Sequence, residues 1–388
     1  MTDQGRYRLE TKLAQAGRDA ARFEGAVNPP IHRATTLIIP DADDLYGTQK
    51  KTYALEGMAV QEALRRALIA IEGGDDAILA PSGLAACTLA LLTVAKAGGE
   101  LLVSDSVYGP TRRFCDTTLK AFGVHTCYFS PDLGEGIAAL LHDKTCGVFL
   151  ESPGSLTFEI LDTPAIVAAA RTRGVPVIAD NTWSAGVYFK PFEHGVDLSV
   201  QALTKYQAGH ADAFMGAVLA ATPEWTRRAR DMHKNLGLHA SPDDAYMTLR
   251  GLRSLMVRLD RQSASAITIA RWLEQRPEVA FVLHPGLPSH PDHTLWKRDF
   301  SGASGVFAFA LQREHGGNVH AMLEGFALFS MGFSWGGFES LIVPTSDNLR
   351  RTAAPRRDDR PLLRLSIGLE HPDDLIADLD AGFARLRA

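Results

Sequence analysis

The segment SVQALTKYQAGHADAF (199–214) places Lys205 directly after a short apolar run that is typical of a buried strand. A lysine is normally a surface residue, and at an ordinary pKa near 10.4 its amine is almost fully protonated at neutral pH. An amine that forms an imine with a carbonyl compound avoids that penalty and can act as a base when it is released. Lys205 is therefore the first candidate catalytic residue.

Polar pairs follow the other apolar runs of the chain in the same way. They are Ser82–Gly83, Ser104–Asp105, Glu151–Ser152, Asp180–Asn181 and Thr204–Lys205. In an open parallel sheet, ligands bind outside the carboxyl ends of the strands. Each pair alone also fits a strand end or a helix cap, so only the whole set indicates a site.

Ser82 and Gly83 stand immediately before an uncharged helical stretch. The backbone N–H groups at the start of a helix bind phosphate well, although N-cap residues are common without any ligand. The chain has neither GxGxxG after its first strand nor GxxxxGK[ST]. Dinucleotide and nucleotide sites therefore lose support.

Asp180 ends the apolar run VPVIAD, and Tyr108 lies just past the run 101–104. A buried carboxylate needs a cationic partner, which is either a salt-bridge residue or a protonated ring nitrogen. Tyr108 is either a core residue or an aromatic platform for a flat cofactor. A phosphate site, an aromatic ring, an acid and Lys205 together describe a pocket for pyridoxal 5'-phosphate.

The elements that must position these residues alternate between strands and helices. The runs AILA, ELLVSD and CGVFLESP lead to helical stretches at 84–95, 111–122 and 164–173, and VQEALRRALIAIEGG predicts an earlier helix that ends at Gly73. This alternation predicts an α/β fold with a mostly parallel sheet covered on both faces. A long helix from about 243 to 276 then leads into a smaller α+β domain. We expect an N-terminal arm over 1–53, a cofactor-binding domain over 54–245 and a C-terminal domain over 246–388.

Composition narrows the class of protein. The chain has 388 residues, 46% of them apolar and 22% charged, with a formal net charge of −5 and no long basic run, so neither a nucleic acid nor a membrane is an expected partner. Four cysteines without CxxC spacing, and a polar start without a signal peptide, predict a cytoplasmic protein without zinc or disulfides. Pro81 to Gly83 interrupt the uncharged run 77–95, which we interpret as strand, turn and buried helix.

Five segments resemble the Cys/Met-metabolism pyridoxal-phosphate enzymes. They are AVNPPIHRATTLI, LESPGSLTFEI, DNTWSAGVYFKPFEHGVDLSVQALTKYQAGHADAFMG, SMGFSWGGFESLI and LLRLSIGLEHPDDLIADLDAGFARL. Within that family, FSWGGFESL and ESPGSLT look most like the bacterial cystathionine β-lyase branch. The resemblance implies the fold of the pyridoxal-phosphate-dependent transferases, which is like that of aspartate aminotransferase.

The resemblance also implies roles for single residues. Lys205 would be the Schiff-base lysine and proton shuttle, Asp180 the partner of the pyridine nitrogen and Tyr108 the stacking ring. Further cofactor contacts would come from Ser82, Gly83, Leu84, Thr204 and, on a neighbouring subunit, Tyr53. Arg364 would bind the substrate α-carboxylate, and Ser334, Trp335 and Tyr53 would line the substrate pocket.

Three positions depart from the family pattern. The family commonly has Tyr-x-Arg in the arm, where this chain has Leu55, with Lys50 or Lys51 as a substitute. Ala202 stands where Ser-x-Thr-Lys is frequent, and Ser155 replaces a common asparagine, as it often does in the β-lyase branch. These changes predict weaker cofactor binding than in relatives.

The cluster HPGLPSHPDH contains His284, His290 and His293 and resembles a metal site at first sight. It is rich in proline and matches a connecting segment of the family, so no metal is expected.

The resemblance implies a carbon–sulfur β-lyase that converts L-cystathionine into homocysteine, pyruvate and ammonia in a homotetramer with shared active sites. The alternatives are a γ-lyase, a γ-synthase or a cysteine desulfhydrase on the same scaffold. A regulatory protein that keeps the cofactor without turnover conflicts with the joint presence of Lys205, Asp180, Tyr108 and Arg364. An aldolase barrel would need eight βα repeats, which the chain does not have.

Overall fold

A computed structural model describes residues 7–46, 51–353 and 358–387. Two sheets organise them, a seven-stranded sheet and a four-stranded sheet. The α/β fold with a second, smaller sheet that the sequence predicts is confirmed.

The strands of the large sheet come from the first 220 residues. In chain order they are β1 (Asp76–Ala80), β2 (Glu100–Ser104), β3 (His125–Phe129), β4 (Thr145–Glu151), β5 (Val177–Asp180), β6 (Leu198–Gln201) and β7 (Gly216–Ala220). Their spatial order is β1-β7-β6-β5-β4-β2-β3, and only β7 runs against its neighbours. The prediction missed β3, whose edge position leaves polar side chains in the strand, and β7, which follows the Lys205 loop without a helix between them.

Helices cover both faces of this sheet, as predicted. They are α3 (Ala59–Glu72), α4 (Gly83–Val94), α5 (Gly109–Phe114), α6 (Thr163–Arg171) and α7 (Pro223–Asn235). Successive residues of β1 show the two faces, because Leu79 shares a core cluster with α3 whereas Ile78 shares one with α4. The apolar stripe of α3 includes Leu64, Leu68 and Ile71, all buried.

Parallel strands bring their carboxyl ends to one edge of the sheet. Glu151 and Asp180 end neighbouring strands and are paired in register across β4 and β5. Lys205 follows β6, the next strand in the sheet. The fold therefore brings these three residues to a common edge.

The smaller sheet is antiparallel and follows in the second half of the chain. Its strands are β8 (Val279–Leu283), β9 (Val306–Leu311), β10 (Leu341–Pro344) and β11 (Leu362–Ser366), in the order β10-β11-β9-β8. The nearby helices are α8 (Pro242–Leu252), α9 (Leu255–Leu273), α10 (His293–Asp299), α11 (Val319–Leu323) and α12 (Pro372–Arg387). Residues of α9 and α12 fill the core of this sheet, including Ile269 and Phe383.

The prediction of one continuous helix from 243 to 276 is wrong, because the chain breaks at Arg253 and Ser254 between α8 and α9. Gly251, a residue type that weakens helices, lies just before the break. A Cβ at this residue would lie 2.3 Å from the carbonyl oxygens of both Gln207 and Ala208. The end of α8 therefore packs directly on the backbone that follows Lys205 and supports the lysine turn.

The N-terminal segment contains α1 (Leu9–Gln15) and α2 (Ala42–Leu45). Leu13 is buried in the core cluster that includes α3, whereas Ile38 and Tyr46 are 88% and 92% exposed. The packing of this arm on a partner chain remains a prediction, and Lys50 lies outside the described residues. Within the described ranges, no helix combines the length and the hydrophobicity that a membrane span requires.

Candidate active site

The side chain of Lys205, which follows β6 of the large sheet, contacts the loop that leads into the small sheet. Its Nζ donates a hydrogen bond to Ser334 Oγ at 2.9 Å and lies 5.2 Å from the ring centroid of Trp335. Both partners belong to the loop that precedes β10. The structure thus brings together the predicted lysine and two of the residues predicted to line the substrate pocket.

The surroundings of Lys205 lower the pKa of its amine. Burial is the main cause that lowers its pKa to about 8, the positive charge of Arg364 lowers it further, and Asp180 opposes the shift. Among the described residues, no salt bridge within 4.0 Å joins Lys205 to Asp180. The amine therefore carries much more free base at neutral pH than a surface lysine does.

This shift predicts the pH dependence of cofactor capture by the protein without cofactor. Only the neutral amine attacks an aldehyde, so the rate should rise about tenfold per pH unit below pH 8 and level off above it. Stopped-flow mixing with pyridoxal phosphate measures the rate. Arg364→Gln should move the bend to higher pH because it removes a neighbouring positive charge. A rate that climbs without a bend to about pH 10 would show an ordinary lysine.

Asp180 is a buried carboxylate with firmly placed oxygens. Oδ1 accepts the Thr182 backbone N–H at 3.0 Å and the Thr182 hydroxyl at 2.6 Å. Oδ2 accepts only the Cys87 thiol, at 3.6 Å, among the described residues. Burial raises the pKa of Asp180, and the bonds from Thr182 oppose this shift. Such a carboxylate fits a protonated ring nitrogen, which would supply the missing positive partner.

Sequence reasoning noted Glu151 only as a strand end, but the structure places it in the site. Its carboxylate accepts the backbone N–H of Tyr108 at 2.6 Å. Burial, followed by the charge of Asp180 beside it, raises the pKa of Glu151 well above its usual range. Cys87 is the second residue that was missed. Its signal was present in the sequence, since it lies one helical turn after Gly83 on α4.

The start of α4 has the form of an anion cradle. The Ser82 hydroxyl caps the helix by accepting the Ala85 N–H at 3.1 Å, while first-turn amides such as those of Gly83 and Leu84 have no carbonyl partner within the helix. A Cβ at Gly83 would lie 2.4 Å from Cβ of Ala202, so only glycine allows this approach to the lysine turn. The amides and the helix dipole suit a phosphate.

Thr204 and Tyr53, which are also predicted to contact the phosphate, make other contacts within the single chain. The Thr204 hydroxyl donates to the Met215 carbonyl at 3.1 Å and accepts the Met215 N–H at 3.0 Å, so its proton is engaged within the chain. Tyr53 is half exposed and pairs with Thr36 in an isolated bridge. Contacts of Thr204 and Tyr53 with a phosphate remain predictions.

Tyr108 lies at the entrance to α5 and is 44% exposed. The bond from its backbone N–H to Glu151 fixes the start of this helix next to the buried carboxylates. Its phenol remains protonated, since burial raises the pKa of Tyr108. The geometry is compatible with a ring that stacks on a flat cofactor, and the stacking itself remains a prediction.

Arg364 is buried on β11 and faces the loop that contacts Lys205. One nitrogen, Nη2, donates to the carbonyl oxygens of Gly332, Phe333 and Ser334 at 3.3, 3.1 and 3.1 Å. Its Nε is buried and makes no hydrogen bond to the described residues. A buried donor without a partner is costly, and a substrate carboxylate would satisfy it.

These residues together fit pyridoxal phosphate. The amides at the α4 start could hold a phosphate, Asp180 could accept a ring N–H, and Lys205 offers an amine of lowered pKa. The histidine cluster has a different character. His284 is fully buried with its Nδ1 accepting the Gly286 N–H at 3.1 Å, and no group of three or more possible ligands occurs in the described ranges.

Comparisons with known proteins agree with this geometry. The family model described as Cys/Met metabolism PLP-dependent enzyme matches residues 10–384. A Rhizobium johnstonii protein is 47% identical over 98% of this chain and 97% of its own. Cystathionine β-lyase of Escherichia coli is 41% identical over 98% of this chain and 99% of its own. Among solved structures, cystathionine γ-synthase of Xanthomonas oryzae, in complex with aminoacrylate and cysteine, covers 98% of this chain and 99% of its own with a TM-score of 0.91 and 32% identity.

Proposed function

The chain belongs to the Cys/Met metabolism PLP-dependent enzymes, and on that premise we propose that it cleaves L-cystathionine into homocysteine, pyruvate and ammonia as a carbon–sulfur β-lyase. The observation that carries the proposal is the contact of Lys205 Nζ with Ser334 at 2.9 Å. It joins the reactive amine to the loop whose SWGG segment resembles the β-lyase branch.

The cofactor-binding residues have separate tasks. Gly83 and Leu84 would offer amides to the phosphate, Asp180 would hold a proton on the ring nitrogen, and Tyr108 would stack on the ring. When bound, pyridoxal phosphate supplies an electron sink for the charge left at Cα after its proton departs. Asp180 supports that role because an ionised carboxylate in a buried site stabilises the protonated ring nitrogen.

Lys205 is the residue that moves protons in the proposed reaction. Its Nζ takes the proton from the substrate Cα and then, as an ammonium, can donate that proton to the departing sulfur. Its pKa of about 8 lies close to neutral pH, where one group can both accept and donate a proton efficiently. Ser334 Oγ, at 2.9 Å, holds Nζ in place through a hydrogen bond, and the Trp335 ring lies 5.2 Å from Nζ.

A further prediction concerns Arg364, which we assign to the substrate α-carboxylate. Arg364→Lys should raise KM by about 10- to 100-fold, because a planar two-point contact with a carboxylate is replaced by a single ammonium group. Steady-state kinetics with L-cystathionine measure the change. Arg261→Lys is the matched control on α9, where the side chain is exposed and donates to the Glu370 carbonyl. An unchanged KM for Arg364→Lys would assign the carboxylate to another residue.

Another prediction concerns the affinity of the protein for pyridoxal phosphate. Leu55 provides no positive charge and lines a small cavity with Arg65 and Arg230. Lys51, the described candidate to replace the missing arginine, is already bonded to Glu62 and the Gly57 carbonyl. Restoring two donors with Leu55→Arg and Ala202→Ser should tighten cofactor binding by about 100-fold or more, since each hydrogen bond to a charged group contributes about 1.5–3 kcal/mol. Titration of the protein without cofactor measures the dissociation constant. An unchanged constant would show that other residues already hold the phosphate.

The second candidate is a sister activity on the same scaffold, namely a γ-lyase, a γ-synthase or a cysteine desulfhydrase. The chain matches the structure of a γ-synthase with a TM-score of 0.91. Because the fold alone does not separate these reactions, this match supports a sister activity as the second candidate. They differ in how Cβ protons are handled, which depends on the shape of the pocket around Trp335.

We further propose that the enzyme acts in the cytoplasm as a homotetramer with active sites shared between subunits. Support comes from the arm, where Ile38 and Tyr46 are almost fully exposed in the single chain, and from the position of Tyr53 on the surface. The arm would cover 1–53, the cofactor-binding domain 54–245 and the C-terminal domain 246–388.

A thiol assay tests the proposed class of enzyme. Protein loaded with pyridoxal phosphate should release a free thiol from L-cystathionine, and protein without cofactor should release none. A loaded protein that releases no thiol from this substrate or from other cysteine thioethers would favour a regulatory protein over a lyase.

A further inference from the structure

The oxygens of Asp180 are held unequally. Oδ1 receives two strong donors, both from Thr182, and the Thr182 hydroxyl itself accepts the Ala202 N–H at 2.9 Å. That bond directs the hydroxyl proton toward Asp180. Oδ2 receives only the thiol of Cys87, at 3.6 Å, among the described residues. Oδ2 is therefore the oxygen with capacity left for the ring nitrogen.

Cys87 contacts this oxygen from a buried position on α4. It is buried on α4, with 3% of its surface exposed, one turn after the Gly83 amide that is assigned to the phosphate. Burial and the charge of Asp180 raise the pKa of the thiol well above its usual range, and Glu151 adds to the shift. The sulfur thus stays protonated at physiological pH, and because an ionised carboxylate can only accept, the thiol is the donor in this contact.

We propose that Cys87 is a positioning residue that keeps Asp180 ionised and aimed at the cofactor ring nitrogen. A donor to the carboxylate stabilises the ionised acid with a protonated ring relative to the neutral acid with an unprotonated ring. A thiol is a weak donor, so its effect lies between that of a methyl group and that of a hydroxyl group. The inference rests on the cofactor and not on the choice of thioether.

Two substitutions separate hydrogen bonding from packing. Cys87→Ala removes the donor, and Cys87→Ser keeps a donor of similar size. Cys87→Ala should weaken pyridoxal phosphate binding by about 3- to 10-fold, below the full value of a bond to a charged group because a thiol is weak. The Cys87→Ser variant should have the dissociation constant of the wild type or a lower one. The visible absorbance of bound cofactor, followed against pH, should shift for Cys87→Ala and return for Cys87→Ser.

The matched control is Cys115, a buried cysteine with 1% exposure in the same core cluster. Its thiol lies beside Asp116 and not beside Asp180. Cys115→Ala should lower the melting temperature as a small cavity does, without changing the cofactor dissociation constant or the pH profile of its absorbance.

The experiment is titration of the protein without cofactor by pyridoxal phosphate, with absorbance spectra at each pH, for the wild type and these three variants. A pattern in which serine restores what alanine loses supports the proposal. A Cys87→Ala variant with wild-type affinity and spectra, or a loss that serine does not restore, overturns it and leaves Cys87 as a packing residue. Neither readout needs substrate, so the outcome is independent of the proposed lyase activity.

Discussion

Lys205→Ala abolishes turnover in our account. In the proposed mechanism the substitution removes both the amine that would hold the cofactor covalently and the group that would move the Cα proton. A positioned acid–base group contributes about 10²- to 10⁴-fold to a rate, so we expect kcat to fall by at least about 10³-fold when both roles are lost. Thiol release from L-cystathionine measures the change. Lys205→Met should behave in the same way, because it keeps much of the side-chain volume without the amine.

Lys297→Met provides the matched control for lysine replacement, since Lys297 is exposed on α10. Its activity and melting temperature should equal those of the wild type. The melting temperature of Lys205→Ala should stay at or above the wild-type value measured without cofactor, because a buried amine of lowered pKa is removed. Activity of a folded Lys205→Ala variant near the wild-type rate would assign proton transfer to another group.

Asp180→Asn should reduce kcat by about 10²- to 10³-fold, on the scale seen when one preorganised electrostatic partner is removed from a buried site. The neutral amide keeps an acceptor for Thr182 but cannot stabilise a protonated ring nitrogen. Cofactor affinity should also fall, and the absorbance of the bound cofactor should change because its ring loses the proton. Steady-state kinetics and spectra of the loaded variant measure both effects.

Asp197→Asn is the control for this change. Asp197 is a partly buried carboxylate whose oxygens accept the Val177 N–H at 2.8 Å and the Trp225 indole N–H at 3.0 Å, beside the opposite ends of β5 and β6. This variant should lose stability and keep the wild-type kcat. Equal kcat for Asp180→Asn and the wild type would refute the pairing of Asp180 with the ring nitrogen.

The sequence predicted the fold class and the edge of the sheet where the candidate site lies. These predictions rest on local patterns, namely alternating strands and helices with polar residues at the strand ends. The placement of Lys205 beside Ser334 is different, because 129 residues separate them and only the resemblance linked the two. Their contact depends on how the loop before β10, whose carbonyls Arg364 of β11 binds, packs against the large sheet.

The missed features also have physical causes. The break between α8 and α9 follows Gly251, which lies close to the backbone at 207–208, and helical periodicity does not reveal such a contact. Glu151 and Cys87 were passed over because a carboxylate after a strand and an apolar cysteine in a helix are common. Their importance comes from the distance to Asp180, which the register of β4 with β5 and the packing of α4 determine.

The most direct test of the account is to identify the products formed from L-cystathionine by the cofactor-loaded enzyme, by mass spectrometry and with Lys205→Ala in parallel. We predict homocysteine and pyruvate from the wild type and neither from the variant. Cysteine with 2-oxobutyrate would contradict β-elimination and place the enzyme among the γ-lyases.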